Sequence, residues 1–268
     1  NGSSIAPGDT VYEIGPGKGI ITHQLARRCQ RLIAIEKDPR LAALLRQQFA
    51  CQPHVIIHTA DFLSYPLPHQ PYKIVANIPF NITAAIIARL TTAANPPEDA
   101  CLAIQREAAA ALLGQPHETL RSILLKPWFA PAILHRFHRA DFAPEPQVDV
   151  VMLRLRKRGP PLISHRRKQS FHDFVTYSFT ARQPTLADAL KSLFSGPQFK
   201  RISRAVGFPD DATPTSLTFA QWLHLFECFQ EHASAQARLT IAGSEQRLLH
   251  QQSRLQKIHQ TRIHCRTT

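Results

Sequence analysis

"TVYEIGPGKGIITHQLARRC", residues 10–29, decides how this chain folds. It opens with a short β-branched and apolar run of strand length. Glycines follow at 15, 17 and 19, and the remainder has helical spacing. A strand that passes through a glycine turn directly into a helix is the first unit of an open α/β sheet. The rhythm repeats outward from it. "RLIAIE" (31–36) reads as a strand and "DPRLAALLRQQFA" as the helix after it; "HVIIH" (54–58), "YKIVAN" (72–77) and "CLAIQ" (101–105) are further strands, the last two each followed by a helical stretch. Then "AILHRFHRADF" and "DVVMLRLR" read as two strands joined by a proline-rich loop. Strand–helix alternation closed by a strand pair predicts a mainly parallel sheet with an antiparallel edge, a Rossmann-like α/β domain. The continuous apolar runs suit parallel strands buried on both faces.

The glycine loop carries chemistry as well as geometry. Its spacing is G-x-G-x-G rather than the dinucleotide G-x-G-x-x-G. Glu13 stands just ahead of Gly15 and Gly17, where a carboxylate would repel a pyrophosphate at the helix N-terminus. The pattern suits a ligand with no phosphate and a cationic end, and S-adenosylmethionine carries both an ammonium and a sulfonium. A bare strand–helix turn is the plainer alternative. Glu36 ends the second strand, 21 residues beyond Gly15, about where a ribose-binding acid belongs. Asp61, in "ADFL" after the third strand, can accept from an adenine amino group, and the Phe62 backbone N–H can donate to a ring nitrogen. Each acid taken alone also reads as an ordinary surface acid at a strand end. Together they line the carboxyl edge of the sheet, where open α/β sheets bind ligands.

"NIPF" (77–80) ends the fourth strand on that edge. An adenine exocyclic amine is a poor nucleophile because its lone pair is spread into the ring. Two acceptors holding its N–H groups pull the nitrogen towards tetrahedral geometry. The Asn77 side-chain oxygen and the Ile78 carbonyl are the candidates. Pro79, with fixed φ and no N–H, holds that carbonyl in place, and Phe80 offers a face for a flipped base. No metal is required, and the pair His135 and His138 lacks partner ligands for zinc.

Composition points to a polyanionic partner. The 268 residues carry 32 Lys and Arg against 19 Asp and Glu, a formal charge of +13. No apolar run reaches the roughly 18 residues of a membrane span. Five cysteines (29, 51, 101, 228 and 265) without a C-x-x-C pair read as free thiols of a cytoplasmic protein. At "KRGPPLISHRRKQ" the composition turns basic and proline-rich, which predicts a boundary: 1–157 as the ligand-binding domain and 158–230 as a small all-helical domain. Ten basic residues against five acidic over 157–230 make the helical domain the nucleic-acid side. Arg166, Arg167, Lys168, Lys200, Arg201 and Arg204 are candidate phosphate contacts. Residues 231–268 are polar and basic without a clear core face, and are expected to form a flexible tail or a frayed helix.

With these motifs in view, the chain resembles the rRNA adenine N6-methyltransferases, the family of the Erm-type and KsgA-type dimethylases. The resemblance covers about residues 8–230 and rests on "EIGPGKG", "AIEKD", "ADFL", "NIPFNI" and "FAPEPQVDVVMLRL". It implies that Gly15, Glu36, Asp61 and Asn77 bind S-adenosylmethionine, leaving S-adenosylhomocysteine as product. It also implies that the turn at 77–80 holds the target adenine and that Phe142 closes over it. "ISHRRKQSFHDFV" and "TFAQWLHLF" look more like the Erm branch, which acts on 23S rRNA and confers macrolide–lincosamide–streptogramin resistance. "FTARQPTLADAL" partly echoes the KsgA branch, which acts on 16S rRNA and normally carries a basic residue where this chain has Gln183. Two features depart from the family. Phe80 stands where many relatives have Tyr, and the N-terminal arm with its Gln-Asn-Phe motif is not in this sequence, so the natural start is expected further upstream. The expectation is a monomeric rRNA methyltransferase. The alternatives are a catalytically inactive RNA-binding factor on the same fold, or an enzyme acting on DNA or a small molecule.

Overall fold

The computed structural model describes residues 4–264, which divide into two compact units. The first comprises the described residues through Leu113 together with Trp128–Pro160. Its strands and helices alternate along the chain: β1 (Thr10–Ile14), α1 (Ile20–Ala26), β2 (Arg31–Glu36), α2 (Pro39–Gln48), β3 (Val55–Thr59), β4 (Lys73–Asn77), α3 (Thr83–Thr92), β5 (Asp99–Gln105) and α4 (Arg106–Leu113). After the other unit's first segment come β6 (Phe129–Arg136) and β7 (Val150–Lys157). The sheet order is β3-β2-β1-β4-β5-β7-β6. The first five strands pair in parallel, and β7 runs antiparallel to both β5 and β6, so the antiparallel pair forms one edge. Leu32, Ala34, Ala76, Ala100 and Leu102 are fully buried on strands covered from both faces. Removing a side chain such as Leu32 from water contributes about 2 kcal/mol.

Local chemistry sets the entries to the helices. Asp38 caps α2 by accepting from the Arg40 N–H at 2.7 Å, and Pro39 follows at the first helical position. Gly19 begins α1 at φ 86°, and a Cβ there would stand 2.7 Å from the Leu45 Cδ2 of α2. Only glycine meets both the left-handed backbone and that close approach.

The second unit comprises Gly114–Pro127 and the described residues from Pro161 onward. It contains α5 (Leu120–Leu125), α6 (Lys168–Thr180), α7 (Leu186–Leu190), α8 (Gly196–Val206), α9 (Phe219–His232), α10 (Ala235–Ile241) and α11 (Ser244–His264). Its core is aromatic. Phe174 stacks on Phe229 at 4.7 Å and Phe171 meets Phe226 edge-on at 5.1 Å, with Trp222 fully buried beside them. Ser195 with Gln198 and Thr218 with Gln221 form capping boxes that start α8 and α9.

Two expectations from the sequence are corrected here. The domain boundary at 157/158 placed Gly114–Pro127 with the sheet, but this stretch belongs to the helical unit. Thr119 and Ser122 cap α5, which buries Ile123 and Leu125 and packs on α6. The stretch 231–268 was expected to be a flexible tail or a frayed helix without a clear core face. The part described, to residue 264, is helical, and its beginning is fastened to α6. The Asp173 carboxylate accepts from the backbone N–H groups of Gly243 at 3.1 Å and Glu245 at 3.0 Å, capping α11 from a distant helix. Ala237 and Ile241 supply the small buried face that the polar composition conceals. Cys29, Cys51, Cys101 and Cys228 are free thiols, and Cys265 lies outside the described residues. Among the described residues no helix is long and apolar enough to cross a membrane, and no group of His, Cys, Asp and Glu is arranged to hold a metal ion.

Candidate active site

Pairing register brings the singled-out residues to one edge. Ile14 lies opposite Ile35 on one side and Ala76 on the other, and Glu36 lies opposite Thr59. The ladder continues one step past the strands through Gly15 N–H to the Ile35 carbonyl, Ala60 N–H to Glu36 and Ile78 N–H to Ala103. Gly15, Glu36, Asp61 and Asn77 therefore stand at the carboxyl ends of neighbouring parallel strands. The sheet order reverses between β1 and β4, the crevice where such sheets take ligands.

Glu13 is the strongest electrostatic feature of this edge. It is 1% exposed, and neither carboxylate oxygen has a hydrogen-bond partner among the described residues. Burial pushes its pKa up to about 7; the nearby Thr22 hydroxyl opposes the shift and Glu36 adds to it. A buried carboxylate without partners invites a cation. Gly15 and Gly17 take φ of 64° and 60°, with open space where each Cβ would be, so the loop can lie flat against a ligand. Glu36 is locked from below. Its Oε2 accepts from the Gly17 N–H at 3.0 Å and its Oε1 from the Asp38 N–H at 2.9 Å. Each oxygen keeps a lone pair for a ribose hydroxyl.

Asp61 is already engaged. Its Oδ2 accepts from Lys37 Nζ at 2.8 Å and its Oδ1 from the Leu63 N–H at 2.9 Å. The Lys37 hydrogen bond, then the Leu63 one, holds its carboxyl below the ordinary value. Lys37 was not singled out from the sequence. Only the register of β2 against β3 brings it to Asp61, 24 residues away. Phe62 is buried, with the Arg89 guanidinium over its ring.

The turn after β4 divides its residues between anchor and display. Ile78 is 2% exposed and fixes the turn, while Asn77, Pro79 and Phe80 are exposed. Pro79 has φ −56°, its carbonyl accepts from the Ile82 N–H, and a short 3-10 turn over Phe80–Ile82 leads into α3. Phe80 leaves 37% of its surface open, unusual for an aromatic beside a buried strand. The loop from β6 to β7 reaches the same edge, since Gln105 lies opposite Val150. Phe142 sits there half-buried, edge-on to Phe137 at 5.3 Å.

In the helical unit the six basic candidates differ. Arg166, Lys200, Arg201 and Arg204 are exposed, and Lys168 is half-buried. Arg167 is committed within the unit, paired with Glu227 at 2.6 Å and lying over the Phe226 ring at 5.1 Å. Its partner comes from α9, 60 residues along the chain.

Comparison with known proteins identifies the family. A family profile described as ribosomal RNA adenine dimethylase matches residues 1–231. The chain is 36% identical to an rRNA adenine N-6-methyltransferase of Corynebacterium diphtheriae over 68% of its length and 71% of the relative's. It is 31% identical to the ribosomal RNA small subunit methyltransferase A of Moorella thermoacetica, covering 71% of this chain and 72% of that one. Among solved structures, the 23S rRNA methyltransferase ErmE superposes with a TM-score of 0.79 at 29% identity, over 85% of this chain and 93% of that chain. The chain belongs to the ribosomal RNA adenine dimethylase family, an rRNA adenine methyltransferase by fold, by motif and by sequence kinship.

Proposed function

We propose that this chain methylates the N6 amine of an adenine in 23S rRNA once or twice, acting as a monomer in the cytoplasm with S-adenosylmethionine as donor. The observation that carries the reading is the Asn77–Phe80 turn, displayed on the same sheet edge as the unpartnered Glu13 carboxylate, the glycine loop and the locked Glu36. In this reading Glu13, Gly15, Gly17, Glu36, Asp61, Phe62 and Asn77 hold the donor, which when bound supplies an electrophilic sulfonium methyl group. Glu13 faces the cationic portion and Glu36 accepts from the ribose hydroxyls. Asp61, kept ionised by Lys37, accepts from the adenine amine of the donor.

The target base is handled by the turn. Asn77 Oδ1 and the Ile78 carbonyl accept from the two N–H groups of the flipped adenine and localise its lone pair. Pro79 fixes the carbonyl's direction, and Phe80 stacks on the ring, with Phe142 closing from the β6–β7 loop. No general base is needed, because the amine's proton leaves after the nitrogen has become cationic. Arg166, Lys168, Lys200, Arg201 and Arg204 contribute phosphate contacts.

The likeness to ErmE along nearly that whole chain supports 23S rRNA as the substrate, and with it macrolide–lincosamide–streptogramin resistance as the consequence. The Moorella relative supports a second target, 16S rRNA in the small subunit. Radiolabelled methyl transfer to protein-free 23S rRNA, immature 30S subunits and DNA separates the readings. Label on 23S rRNA is expected. Label confined to 30S subunits moves the target to 16S rRNA, and label on no RNA removes the enzymatic reading in favour of an RNA-binding factor.

A further inference from the structure

We propose that Asp149 is a positioning residue for the target base: its carboxylate, gripped by Arg106 and Arg139, holds the β6–β7 loop so that Phe142 reaches the flipped adenine. The inference rests on the reading of Phe142 given above. The loop runs over 137–149, between the end of β6 at Arg136 and the start of β7 at Val150. Its base is closed by the sheet. The Phe137 N–H donates to the Val150 carbonyl at 3.0 Å, and the Arg106 N–H to the Asp149 carbonyl at 2.9 Å. The second bond extends the β5–β7 ladder one step beyond Gln105 and Val150. It fixes the Asp149 backbone at the carboxyl end of β5, the strand beside the one that ends in Asn77.

From that fixed point the side chain reaches in two directions. Asp149 Oδ1 accepts from Arg139 Nη2 at 3.0 Å and from Arg139 Nε at 3.3 Å, and Oδ2 lies 3.3 Å from Arg106 Nη1. Arg139 leads straight to Phe142. Its carbonyl accepts from the Phe142 N–H at 3.1 Å across a 3-10 turn over Arg139–Asp141. Asp141 closes the other end of that turn by accepting from the His138 N–H at 2.9 Å. The Phe142 ring then meets Phe137 edge-on. The end of β5, Asp149, Arg139 and Phe142 thus form one connected path. The three charged side chains keep between 42% and 49% of their surface open, and exposed ion pairs contribute little to global stability. What the cluster fixes is a direction. Stacking needs a ring face at contact distance, and a displacement of about 1 Å costs on the order of a hundredfold in rate. A phosphate clamp is the competing use for two arginines beside an RNA site. Asp149, together with Glu107 at 3.3 Å from Arg106 Nη2, offsets both positive charges, so the cluster offers a phosphate no net attraction.

The test uses the full chain with Asp149→Ala, Arg139→Gln and Phe142→Ala, each alone, and with the first two each combined with the third. Transfer is followed in a single turnover on the RNA that accepts label from the unaltered chain. RNA affinity, donor affinity and thermal unfolding are measured alongside. Asp149→Ala and Arg139→Gln change the local charge in opposite senses, so an electrostatic effect on RNA binding has opposite signs in the two. A positioning role gives one result in both. The single-turnover rate falls by about tenfold to a hundredfold, RNA and donor affinity stay within about twofold, and neither change slows Phe142→Ala further. Should Asp149→Ala fail to fold, Arg139→Gln breaks the same clasp from its exposed side and carries the test. Unchanged rates in both variants, with Phe142→Ala slow, overturn the clasp and leave the reading of Phe142 standing. Losses that multiply with that of Phe142→Ala overturn it too, because the clasp then acts independently of that ring. RNA binding tighter in Asp149→Ala and weaker in Arg139→Gln, at unchanged rate, replaces the clasp with a phosphate contact. A Phe142→Ala protein as fast as the unaltered chain removes the reading of Phe142 and the positioning role with it. An unaltered chain that labels no RNA overturns the enzyme reading and this one together.

Discussion

In the proposed mechanism, Asn77 and Glu13 concentrate the chemistry in two side chains of opposite exposure. Asn77 stands open at the end of β4 and touches the substrate amine in the proposed mechanism. Asn77→Ala is expected to lower methyl transfer by about a hundredfold to a thousandfold, the scale of losing one preorganised polar group, while RNA affinity stays within about twofold. Single-turnover transfer and filter binding measure the two separately. Glu13 makes a pH prediction. Its folded pKa of about 7 lies above the ordinary 4.5, so the folded ligand-free protein holds a proton that the unfolded chain has released. The stabilising contribution is fully present below about pH 4.5 and is lost as pH rises to about 7, on the order of 3 kcal/mol. Denaturant unfolding across that range should show the decline, and Glu13→Gln should flatten it. A cationic ligand needs the ionised form, so S-adenosylmethionine affinity should rise with pH towards 7 and become nearly pH-independent in the same variant.

At the scale of elements, the glycine loop and the α6–α11 junction make separable predictions. Gly15→Ala and Gly19→Ala both place a side chain at positive φ, a strain of about 1–2 kcal/mol. Only at Gly19 does the new Cβ also collide with Leu45. Thermal unfolding should therefore drop further for Gly19→Ala, while Gly15→Ala loses donor affinity with the smaller loss of stability. Asp173→Ala should release the first turn of α11 at a cost of about 1–2 kcal/mol, read as faster amide exchange at residues 243–250. These elements also show what was legible in the sequence. "RLIAIE" and "DPR" announced β2 and its capped successor because strand propensity, an Asp cap and a Pro at N1 are all local signals. The bonds that lock Glu36 and Asp61, and those that fasten the helical unit within itself, are not local. Glu36 to Gly17, Lys37 to Asp61, Arg167 to Glu227 and Asp173 to α11 join residues 19 to 72 positions apart. Helix α5 escaped notice because six residues with one buried face carry too little periodicity, and its packing on α6 depends on a partner some fifty residues ahead.

At the scale of the whole molecule, the sheet's two-sided burial and the net charge of +13 set stability and substrate class respectively. Leu32→Ala, in a fully buried strand position, should destabilise the protein by about 2–5 kcal/mol without altering the chemistry of the residual folded fraction. In the proposed mechanism the charge supplies the long-range attraction to RNA, and the carboxyl edge of the sheet supplies the selectivity for an adenine amine. The most direct measurement is nucleoside mass analysis of protein-free 23S rRNA incubated with the protein and S-adenosylmethionine. N6-methyladenosine or N6,N6-dimethyladenosine should appear at a single adenine and be absent with Asn77→Ala. Methyl groups on any other atom, or none on RNA at all, would contradict the account.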